Sequence, residues 1–330
     1  MPMTGLSDSF QRPIDYLRIS VTDRCNLRCI YCMPSEGVNL LEHEDILSYE
    51  EIYHVAQVAA ELGISKIRIT GGEPLARLGL SSLIKMLASI DLITDISLTT
   101  NGLLLGRYAA ELKQAGLRRV NVSLDTLKPD KFKFITRQSD KLDDVLESIE
   151  VAKAVGLNPV KINVVAMAGI NDDELFDFAA KTINDGWHVR FIELMLPVGV
   201  STTTAQFISV TDIRKKLEQL GDLEPCVHGI GNGPAKYFRF PEANGTVGFI
   251  TPVSEHFCYL CNRMRLTSDG KLRPCLLADD EIDLKQSLRN GASSERLKLL
   301  IEEAVAKKPL HHNLAEGYMP KDKPFSQVGG

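Results

Sequence analysis

Short apolar runs and longer amphipathic stretches alternate between Tyr16 and Leu196. A strand-like run, a loop and a stretch with apolar residues at helical spacing recur in that order, which is typical of parallel strands joined by helices. The predicted strands are residues 16–20, 66–70, 95–99, 119–123, 160–165 and 189–193, and the predicted helices include 49–62, 103–115, 142–155 and 172–185. Six such units fall short of the eight in a closed β/α barrel. The sequence therefore predicts an α/β fold, a six-stranded partial (βα)6 TIM-like barrel that is open on one side.

Polar side chains occupy every second position of these strands, as Arg18 does between Leu17 and Ile19. A buried parallel strand usually reads as a continuous apolar run instead. Because successive side chains point to opposite faces, we expect the apolar set to pack against the helices and the polar set to line the lumen. The polar set comprises Arg18, Arg68, Ser97, Thr99, Asn121, Ser123, Lys161, Asn163 and Arg190. An antiparallel sheet with one face in water gives the same alternation, but the intervening helices favour the barrel.

The pattern changes after Leu196. The predicted elements are a linker at 197–205, a helix near 211–220, strands at 237–240 and 247–250 joined by an Asn-Gly turn, and helices near 283–290 and 295–307. We therefore divide the chain into a barrel, residues 1–200, and a C-terminal α+β extension, residues 201–330. The glycine-rich stretch 229–233 lacks the strand and helix that flank a nucleotide-binding loop, so we interpret it as a surface loop.

Composition and charge narrow the classes of partner. The chain has 330 residues, of which 44% are hydrophobic, and a formal net charge of −5. So mild a charge gives no general attraction for nucleic acid or for an anionic membrane, and an anionic ligand must be bound locally. No stretch reaches the roughly 20 apolar residues of a membrane-spanning helix, and the N-terminus lacks a secretory signal pattern. These features predict a cytoplasmic protein.

The first of two cysteine triplets follows the first predicted strand. Cys25, Cys29 and Cys32 lie at the carboxyl end of that strand, where α/β proteins place their sites. Three thiolates can bind three irons of a four-iron cluster and leave the fourth iron open to a small molecule. A zinc site is the alternative, and it would need a fourth ligand such as His43 or His54.

The second triplet lies in the C-terminal part. It consists of Cys258, Cys261 and Cys275. Again no fourth cysteine stands at the spacing of a zinc ribbon, so we predict a second iron–sulfur cluster with an open iron, with zinc as the alternative. Arg263 and Arg265 follow the second cysteine and suit bidentate phosphate contacts. The remaining cysteine, Cys226, is interpreted as a small buried apolar residue.

Two motifs resemble those of a known family. The stretch Cys25-Asn-Leu-Arg-Cys29-Ile-Tyr-Cys32 resembles the signature of the radical S-adenosylmethionine enzymes, whose fold is a six-stranded partial barrel. Thr70-Gly71-Gly72-Glu73-Pro74 resembles the glycine motif that contacts the methionine end of the cofactor in those enzymes. The resemblance implies that the first triplet holds a 4Fe-4S cluster, which cleaves S-adenosylmethionine reductively into methionine and a 5′-deoxyadenosyl radical.

With the second triplet and the terminal Gly329-Gly330 included, the whole chain is similar to the radical enzymes that cyclise GTP in the first step of molybdenum cofactor synthesis. The resemblance implies a lyase with two 4Fe-4S clusters and S-adenosylmethionine, which converts GTP to (8S)-3′,8-cyclo-7,8-dihydroguanosine 5′-triphosphate. It assigns cofactor contacts to Tyr31, Gly72, Ser123 and Met195, and GTP contacts to Arg18, Arg68, Thr99, Lys161, Arg263, Met264 and Arg265. It also places the Gly-Gly tail in the active site.

The same resemblance implies partners. A reductant protein such as flavodoxin or ferredoxin would supply electrons, and cyclic pyranopterin monophosphate synthase would accept the product. The chain would act as a monomer or a homodimer, without nucleic acid or membrane. Two alternatives are a radical enzyme that modifies peptides, whose extensions are richer in cysteine, and a zinc-stabilised binding protein without catalysis.

Overall fold

The computed structural model describes residues 5–195, 206–227, 233–314 and 325–329. The strands are β1 Tyr16–Ser20, β2 Lys66–Thr70, β3 Asp95–Thr100, β4 Arg119–Ser123, β5 Val160–Ala166, β6 His188–Glu193, β7 Glu224–Pro225, β8 Lys236–Arg239, β9 Thr246–Ile250, β10 Arg263–Leu266, β11 Lys271–Arg273 and β12 Ile282–Asp283. The helices are α1 Tyr49–Glu61, α2 Leu80–Ala88, α3 Leu105–Gln114, α4 Pro129–Thr136, α5 Leu142–Ala154, α6 Leu175–Asn184, α7 Val210–Leu217, α8 Lys285–Arg289, α9 Ser294–Ala306 and α10 Phe325–Val328.

The strands β1 to β6 lie side by side in chain order, and every neighbouring pair is parallel. Their bounds agree with the six predicted strands to within one residue. Helices α1 to α6 connect these strands in the chain, as expected for β/α units. The α/β partial barrel is confirmed, and the parallel register excludes the antiparallel sheet that the alternation alone had left open.

The two edges of this barrel continue into strands from the C-terminal part. On one side β10 pairs in parallel with β1, and on the other side β9 pairs in parallel with β6. Antiparallel strands then extend the sheet to β12 and β7. The sequence analysis had predicted β8 and β9 but not β7, β10, β11 or β12. These four strands have only two to four residues each, too few for an alternation to set them apart from loops.

The division at residue 200 stays a prediction. The predicted linker 197–205 lies outside the described residues, as does the glycine-rich stretch except residue 233. The sheet itself is continuous from β6 through β9 and from β1 through β10. The two parts therefore share one sheet whichever boundary is chosen.

The alternation along the strands separates two environments. The apolar set, for example Leu17, Ile19 and Ile67, belongs to the main hydrophobic core beneath the helices. The opposite parity faces the lumen, where Arg18, Arg68 and other polar residues line a cavity. The predicted polar lumen is confirmed for six residues: Arg18, Arg68, Thr99, Ser123, Asn163 and Arg190. Three further residues of the predicted set do not line the cavity: Ser97, Asn121 and Lys161.

Local signals set the helix bounds. At the start of α1, Glu51 N donates to Ser48 Oγ at 3.1 Å and Ser48 N donates to Glu51 Oε2 at 2.7 Å, which is a capping box. Two residues after α1 the chain turns at Gly63, whose φ of 107° favours glycine. Among the described residues, no helix has the length and apolar character needed to cross a membrane.

Candidate active site

The first cysteine triplet lies in the loop that follows the carboxyl end of β1. Two amide groups donate toward the first sulfur: Leu27 N is 3.4 Å and Asn101 Nδ2 is 3.9 Å from Cys25 Sγ. Within the loop, Cys32 N donates to Cys29 O at 2.9 Å. The three thiols share one loop, in which Cys25 and Cys32 both interact electrostatically with Cys29. Among the described residues, no group of three His, Cys, Asp or Glu side chains is arranged to hold a single metal ion.

The surroundings of these thiols oppose their ionisation. Burial raises the pKa of Cys25 to about 11 and that of Cys32 to about 12, and it raises the pKa of Cys29 well above its ordinary value. The carboxyl groups of Glu73 and Asp125 add to the effect. Thiolates become favourable here only beside a cationic metal, because a thiol must lose its proton to ligate one. The donor set fits a sulfur-bound iron cluster.

The glycine motif packs directly against the cysteine loop. A Cβ on Gly72 would lie 2.4 Å from Arg24 O, and one on Gly71 would lie 2.6 Å from Thr22 O. Gly72 N donates to Thr22 O at 2.8 Å. The missing side chains therefore allow a close backbone approach to this loop. Contact between Gly72 and the methionine part of the cofactor stays a prediction.

The buried carboxylate of Glu73 organises the same corner. It accepts hydrogen bonds from Thr100 Oγ1 at 2.8 Å, Asn101 N at 2.7 Å and Leu75 N at 3.0 Å. Burial raises the pKa of Glu73 to about 7 in spite of these donors. Glu73 thus joins the ends of β2 and β3 beside the first triplet.

Three of the predicted cofactor contacts, Tyr31, Ser123 and Met195, line the same cavity. Tyr31 Oη donates to Asp125 Oδ2 at 2.8 Å, and Val165 N donates to Asp125 Oδ1 at 2.8 Å. Burial raises the pKa of Asp125 to about 6. The sequence analysis missed Asp125, although it stands two residues beyond Ser123 at the carboxyl end of a strand.

Three arginines form a row across neighbouring strands. In the parallel register Arg18 of β1 stands opposite Arg265 of β10 on one side and Arg68 of β2 on the other. Burial, together with the other arginines, lowers the pKa of Arg18 and brings that of Arg265 to about 10. Like charges opposite one another destabilise a sheet, so an anionic ligand bound beside these arginines would stabilise the row.

Orphaned donors point the same way. Among the described residues, Arg68 Nε and the Nε and Nη2 atoms of Arg190 are buried without a hydrogen-bond partner. Both side chains line the cavity. A buried donor without an acceptor is costly, and phosphate oxygens would satisfy these groups. Arg190 was part of the predicted lumenal set but had been given no ligand.

The side chains of two predicted GTP residues, Lys161 and Met264, do not line the cavity. Lys161 is buried, and its Nζ donates to Tyr237 Oη at 3.1 Å instead of lining the cavity. Burial, then Arg190, lower the pKa of Lys161 to about 6.

Met264 points to the opposite face of β10, where it stands beside Leu17 in the hydrophobic core. Its side chain is thus directed away from the lumen, so a GTP contact at Met264 would have to come from the main chain and stays a prediction. Thr99 does line the cavity and accepts from Asn121 Nδ2 at 3.4 Å.

All three cysteines of the second triplet, Cys258, Cys261 and Cys275, line the cavity. Arg263 Nη2 lies 3.7 Å from Cys261 Sγ, and Leu277 N lies 3.4 Å from Cys275 Sγ.

The charges around this triplet favour a thiolate. Although burial opposes ionisation, Arg263 and then Lys308 lower the pKa of Cys261 to about 6. Burial raises the pKa of Cys258. The second triplet therefore combines ligand-forming sulfurs with cations, as an anionic cluster requires.

The C-terminal tail enters the lumen. Gly329 O accepts from Arg18 Nη2 at 3.1 Å and also from Arg265 Nη1. Gly329 has a φ of 69°, and a Cβ there would lie 2.4 Å from Thr70 Cγ2. The space and the backbone conformation both require glycine at this position. Gly330 lies outside the described residues.

The sequence analysis also considered Cys226 and the candidate zinc ligands His43 and His54. Cys226 is only half-buried, so its interpretation as a buried apolar residue is wrong. Its exposure follows from its position beside β7, the outermost strand of the described sheet. His54 lies on α1 with its Nε2 3.5 Å from Ser294 Oγ, and His43 is exposed.

Comparison with known proteins agrees with this geometry. The family described as "Radical SAM superfamily" matches residues 19–181, and the family described as "Molybdenum Cofactor Synthesis C" matches residues 187–314. GTP 3′,8-cyclase of Moorella thermoacetica is 50% identical over 326 residues, which is 98% of this chain and 100% of that protein. GTP 3′,8-cyclase of Pelotomaculum thermopropionicum is 52% identical over 328 residues, with the same shares covered.

This chain belongs to the GTP 3′,8-cyclase family. The predicted family is confirmed, and with it the radical S-adenosylmethionine class of enzyme. A GTP 3′,8-cyclase of this class uses a 4Fe-4S cluster and S-adenosylmethionine, and a second cluster in the C-terminal part is consistent with the family. A zinc-stabilised binding protein without catalysis is not favoured.

Solved structures support the fold of this cyclase family member. Streptococcus suis SuiB bound to S-adenosylmethionine covers 86% of this chain and 68% of its own, with a TM-score of 0.60 and 16% identity. The same protein bound to its precursor peptide SuiA has a TM-score of 0.62 at 16% identity, with 90% of this chain and 66% of its own covered. At this identity the likeness shows the fold alone.

Proposed function

We propose that this chain is a radical S-adenosylmethionine GTP 3′,8-cyclase that converts GTP to (8S)-3′,8-cyclo-7,8-dihydroguanosine 5′-triphosphate. One observation carries the proposal: a single cavity is bounded by Tyr31 of the first cysteine loop and by all three cysteines of the second triplet. A row of arginines lines the same cavity. A cofactor at one triplet and an anionic nucleotide at the other would meet in one enclosed space.

The first triplet is suited to hold the catalytic cluster. Cys25, Cys29 and Cys32 would bind three of its irons, and the cluster with S-adenosylmethionine supplies a 5′-deoxyadenosyl radical. Tyr31 and Ser123 line the cavity and would position the cofactor. Asp125 accepts the 2.8 Å hydrogen bond from Tyr31 and so restrains the orientation of its aromatic ring.

The cationic wall is suited to the triphosphate. Arg18, Arg68 and Arg265 stand in one row, and their guanidinium groups can form bidentate contacts with phosphate oxygens. Hydrogen bonds to charged groups contribute about 1.5–3 kcal/mol each. The second triplet would bind the base through its open iron. GTP would then be held by its base at one end and by its phosphates at the other, which orients the ribose between them.

The enclosed lumen also protects the chemistry. The hydrogen atom on the 3′ carbon of the ribose would pass to the 5′-deoxyadenosyl radical, and the 3′ carbon would then bond to carbon 8 of the guanine in the same molecule. The base radical left by this bond would take up one electron from the reductant and one proton to give the 7,8-dihydroguanosine. Holding one conformation of GTP favours this ring closure over intermolecular reactions. Exclusion of water by the barrel and by the tail at Gly329 limits side reactions of a reactive carbon centre.

The partners and the location belong to the proposal as well. A flavodoxin or ferredoxin would donate electrons, and cyclic pyranopterin monophosphate synthase would take the product in the molybdenum cofactor pathway. The domain boundary near residue 200, the cytoplasmic location and the state as monomer or homodimer stay predictions. They do not affect the assignment of the two triplets.

Anaerobic metal analysis tests the foundation of the proposal. After reconstitution with iron and sulfide, we expect about eight irons per chain and negligible zinc, because each 4Fe-4S cluster contains four irons. Stoichiometric zinc would contradict the assignment of both triplets.

A labelled substrate tests the reaction. The reduced protein is incubated with S-adenosylmethionine and GTP deuterated at the 3′ carbon, with ATP as the control nucleotide. We expect deuterium in 5′-deoxyadenosine and a cyclised nucleotide only with GTP. Formation of 5′-deoxyadenosine that is indifferent to GTP, without an altered nucleotide, would contradict the cyclase.

A further inference from the structure

A buried lysine lies behind the second cysteine triplet. Lys308 follows α9 closely and has only 3% of its surface exposed. It does not line the cavity, so it cannot contact a substrate there. Its neighbour Lys307 is exposed and pairs with Glu303 at 2.9 Å on the surface of α9. Two adjacent lysines therefore occupy opposite environments.

The ammonium group of Lys308 joins two segments of the second site. Its Nζ donates to Arg263 O at 2.7 Å and to Pro274 O at 2.6 Å, and it interacts electrostatically with the sulfurs of Cys261 and Cys275. Burial lowers the pKa of Lys308, whereas these two sulfurs raise it. An anionic cluster bound by the same sulfurs would therefore favour the charged form of the lysine.

The two carbonyl acceptors belong to the segments that carry the triplet. Arg263 begins β10 two residues after Cys261, and Pro274 directly precedes Cys275. One positive charge thus joins the chain around the second and third cysteines. It thereby stabilises the distance between the sulfurs of Cys261 and Cys275.

The backbone around this lysine is itself clamped. Arg12 Nη1 donates to Cys258 O at 2.7 Å and to Leu310 O at 2.9 Å, and its Nη2 donates to Pro309 O at 2.7 Å. The first cysteine of the triplet is thereby tied to the segment that carries Lys308. The lysine has little freedom to move away from the sulfurs.

We propose that Lys308 is the positioning and charge-compensating residue of the second cluster, an inference that rests on the second 4Fe-4S cluster of the proposed function. Its ammonium stabilises the negative charge on the cysteine sulfurs. Arg263 also lies beside Cys261, but Arg263 lines the cavity and is available to the substrate, whereas Lys308 is not. The compensation by Lys308 is therefore present whether or not GTP is bound.

The charge has a measurable consequence. Reduction adds an electron to a cluster, and a nearby cation favours the reduced form, so the environment sets the reduction potential. Removing the charge should move the potential of the second cluster to a more negative value. A tenfold change in the equilibrium constant for one electron corresponds to about 59 mV, and we expect a shift of about that size.

The test compares Lys308→Met with Lys307→Met in the full-length, reconstituted enzyme. Iron and sulfide are counted first, and both clusters are then followed by redox titration with electron paramagnetic resonance. In Lys308→Met we expect one of the two potentials to become more negative while the other stays at its wild-type value. In Lys307→Met both potentials should stay unchanged.

A third variant, Lys308→Arg, separates charge from shape. If Lys308→Met holds only about four irons, retention of about eight irons in Lys308→Arg supports the role of the charge, whereas loss in both variants overturns it. Unchanged potentials in a fully loaded Lys308→Met overturn it as well. Four irons in the wild type would instead overturn the second cluster itself, and this inference with it.

Discussion

The two cysteine triplets share their residue type but differ in the charge that surrounds them. Around the first triplet, burial together with the carboxyl groups of Glu73 and Asp125 raises the pKa of every thiol. Around the second, Arg263 and Lys308 overcome burial and lower the pKa of Cys261 to about 6. The first site resists added negative charge and the second accepts it.

This difference matches the tasks of the two sites. A cluster in apolar and acidic surroundings is harder to reduce and is a stronger reductant once reduced, as electron transfer to S-adenosylmethionine requires. A cluster beside cations tolerates an anionic ligand such as a nucleotide. The chain thus contains two sets of three thiols, and the neighbouring charges give the two sets different properties.

The largest expected effect comes from removing one sulfur of the first site. Cys25→Ala should abolish formation of 5′-deoxyadenosine, because the cluster loses a ligand, while GTP binding at the second site persists. Product analysis and a nucleotide-binding assay measure both. Cys226→Ala is the matched control and should behave as wild type. Cleavage at the normal rate in Cys25→Ala would remove the first triplet from the chemistry.

The acidic side of the comparison can be tested through pH. Burial raises the pKa of Asp125 from 3.8 to about 6, so the folded state holds this proton more tightly than the unfolded state. The metal-free chain should then lose up to about 3 kcal/mol of stability as the pH rises through this interval, with no further loss from this group above it.

Asp125→Asn should remove that part of the pH dependence and leave the variant more stable than wild type at pH 7, since Asn stays neutral. Denaturant unfolding of the metal-free proteins at several pH values measures the difference. Asp91→Asn, at an exposed position, is the control. Identical pH profiles for Asp125→Asn and wild type would contradict the raised pKa of the buried Asp125 carboxyl group.

The cationic side is tested at the arginine row. Arg265→Ala should weaken GTP binding by about 1.5–3 kcal/mol, roughly ten- to a hundredfold in Kd, because a charge-assisted contact is lost. The first cluster should keep its irons. Arg296→Ala, on the exposed surface of α9, should leave the affinity unchanged. Wild-type affinity in Arg265→Ala would take this arginine out of the phosphate site.

The smallest expected effect concerns the tail. In Gly329→Ala the new Cβ would collide with Thr70, and alanine would have to adopt an unfavourable backbone conformation. The hydrogen bonds from Arg18 and Arg265 to the carbonyl oxygen of residue 329 should therefore be lost. We expect kcat to fall about tenfold, or about 1.4 kcal/mol, with S-adenosylmethionine binding unchanged. Gly5→Ala, where a Cβ has open space, is the control. Full activity in Gly329→Ala would show that the tail contact is dispensable.

Much of the molecule follows from local patterns. The alternation of Arg18 with Leu17 and Ile19 was enough to predict a polar lumen and an apolar outer face, because side-chain direction in a strand depends only on parity. The spacing of the cysteines and the six repeated units likewise predicted the triplets and the partial barrel. These features involve residues that are close in sequence.

The contacts that complete the site were decided by the tertiary structure. The pairing of β10 with β1 places Arg265 beside Arg18, turns Met264 into the core and brings the second triplet to the lumen. The positions of Asp125 and Lys308 likewise depend on segments that meet only after folding. A sequence pattern reports direction along one strand, whereas register between distant strands is set by closure of the whole sheet.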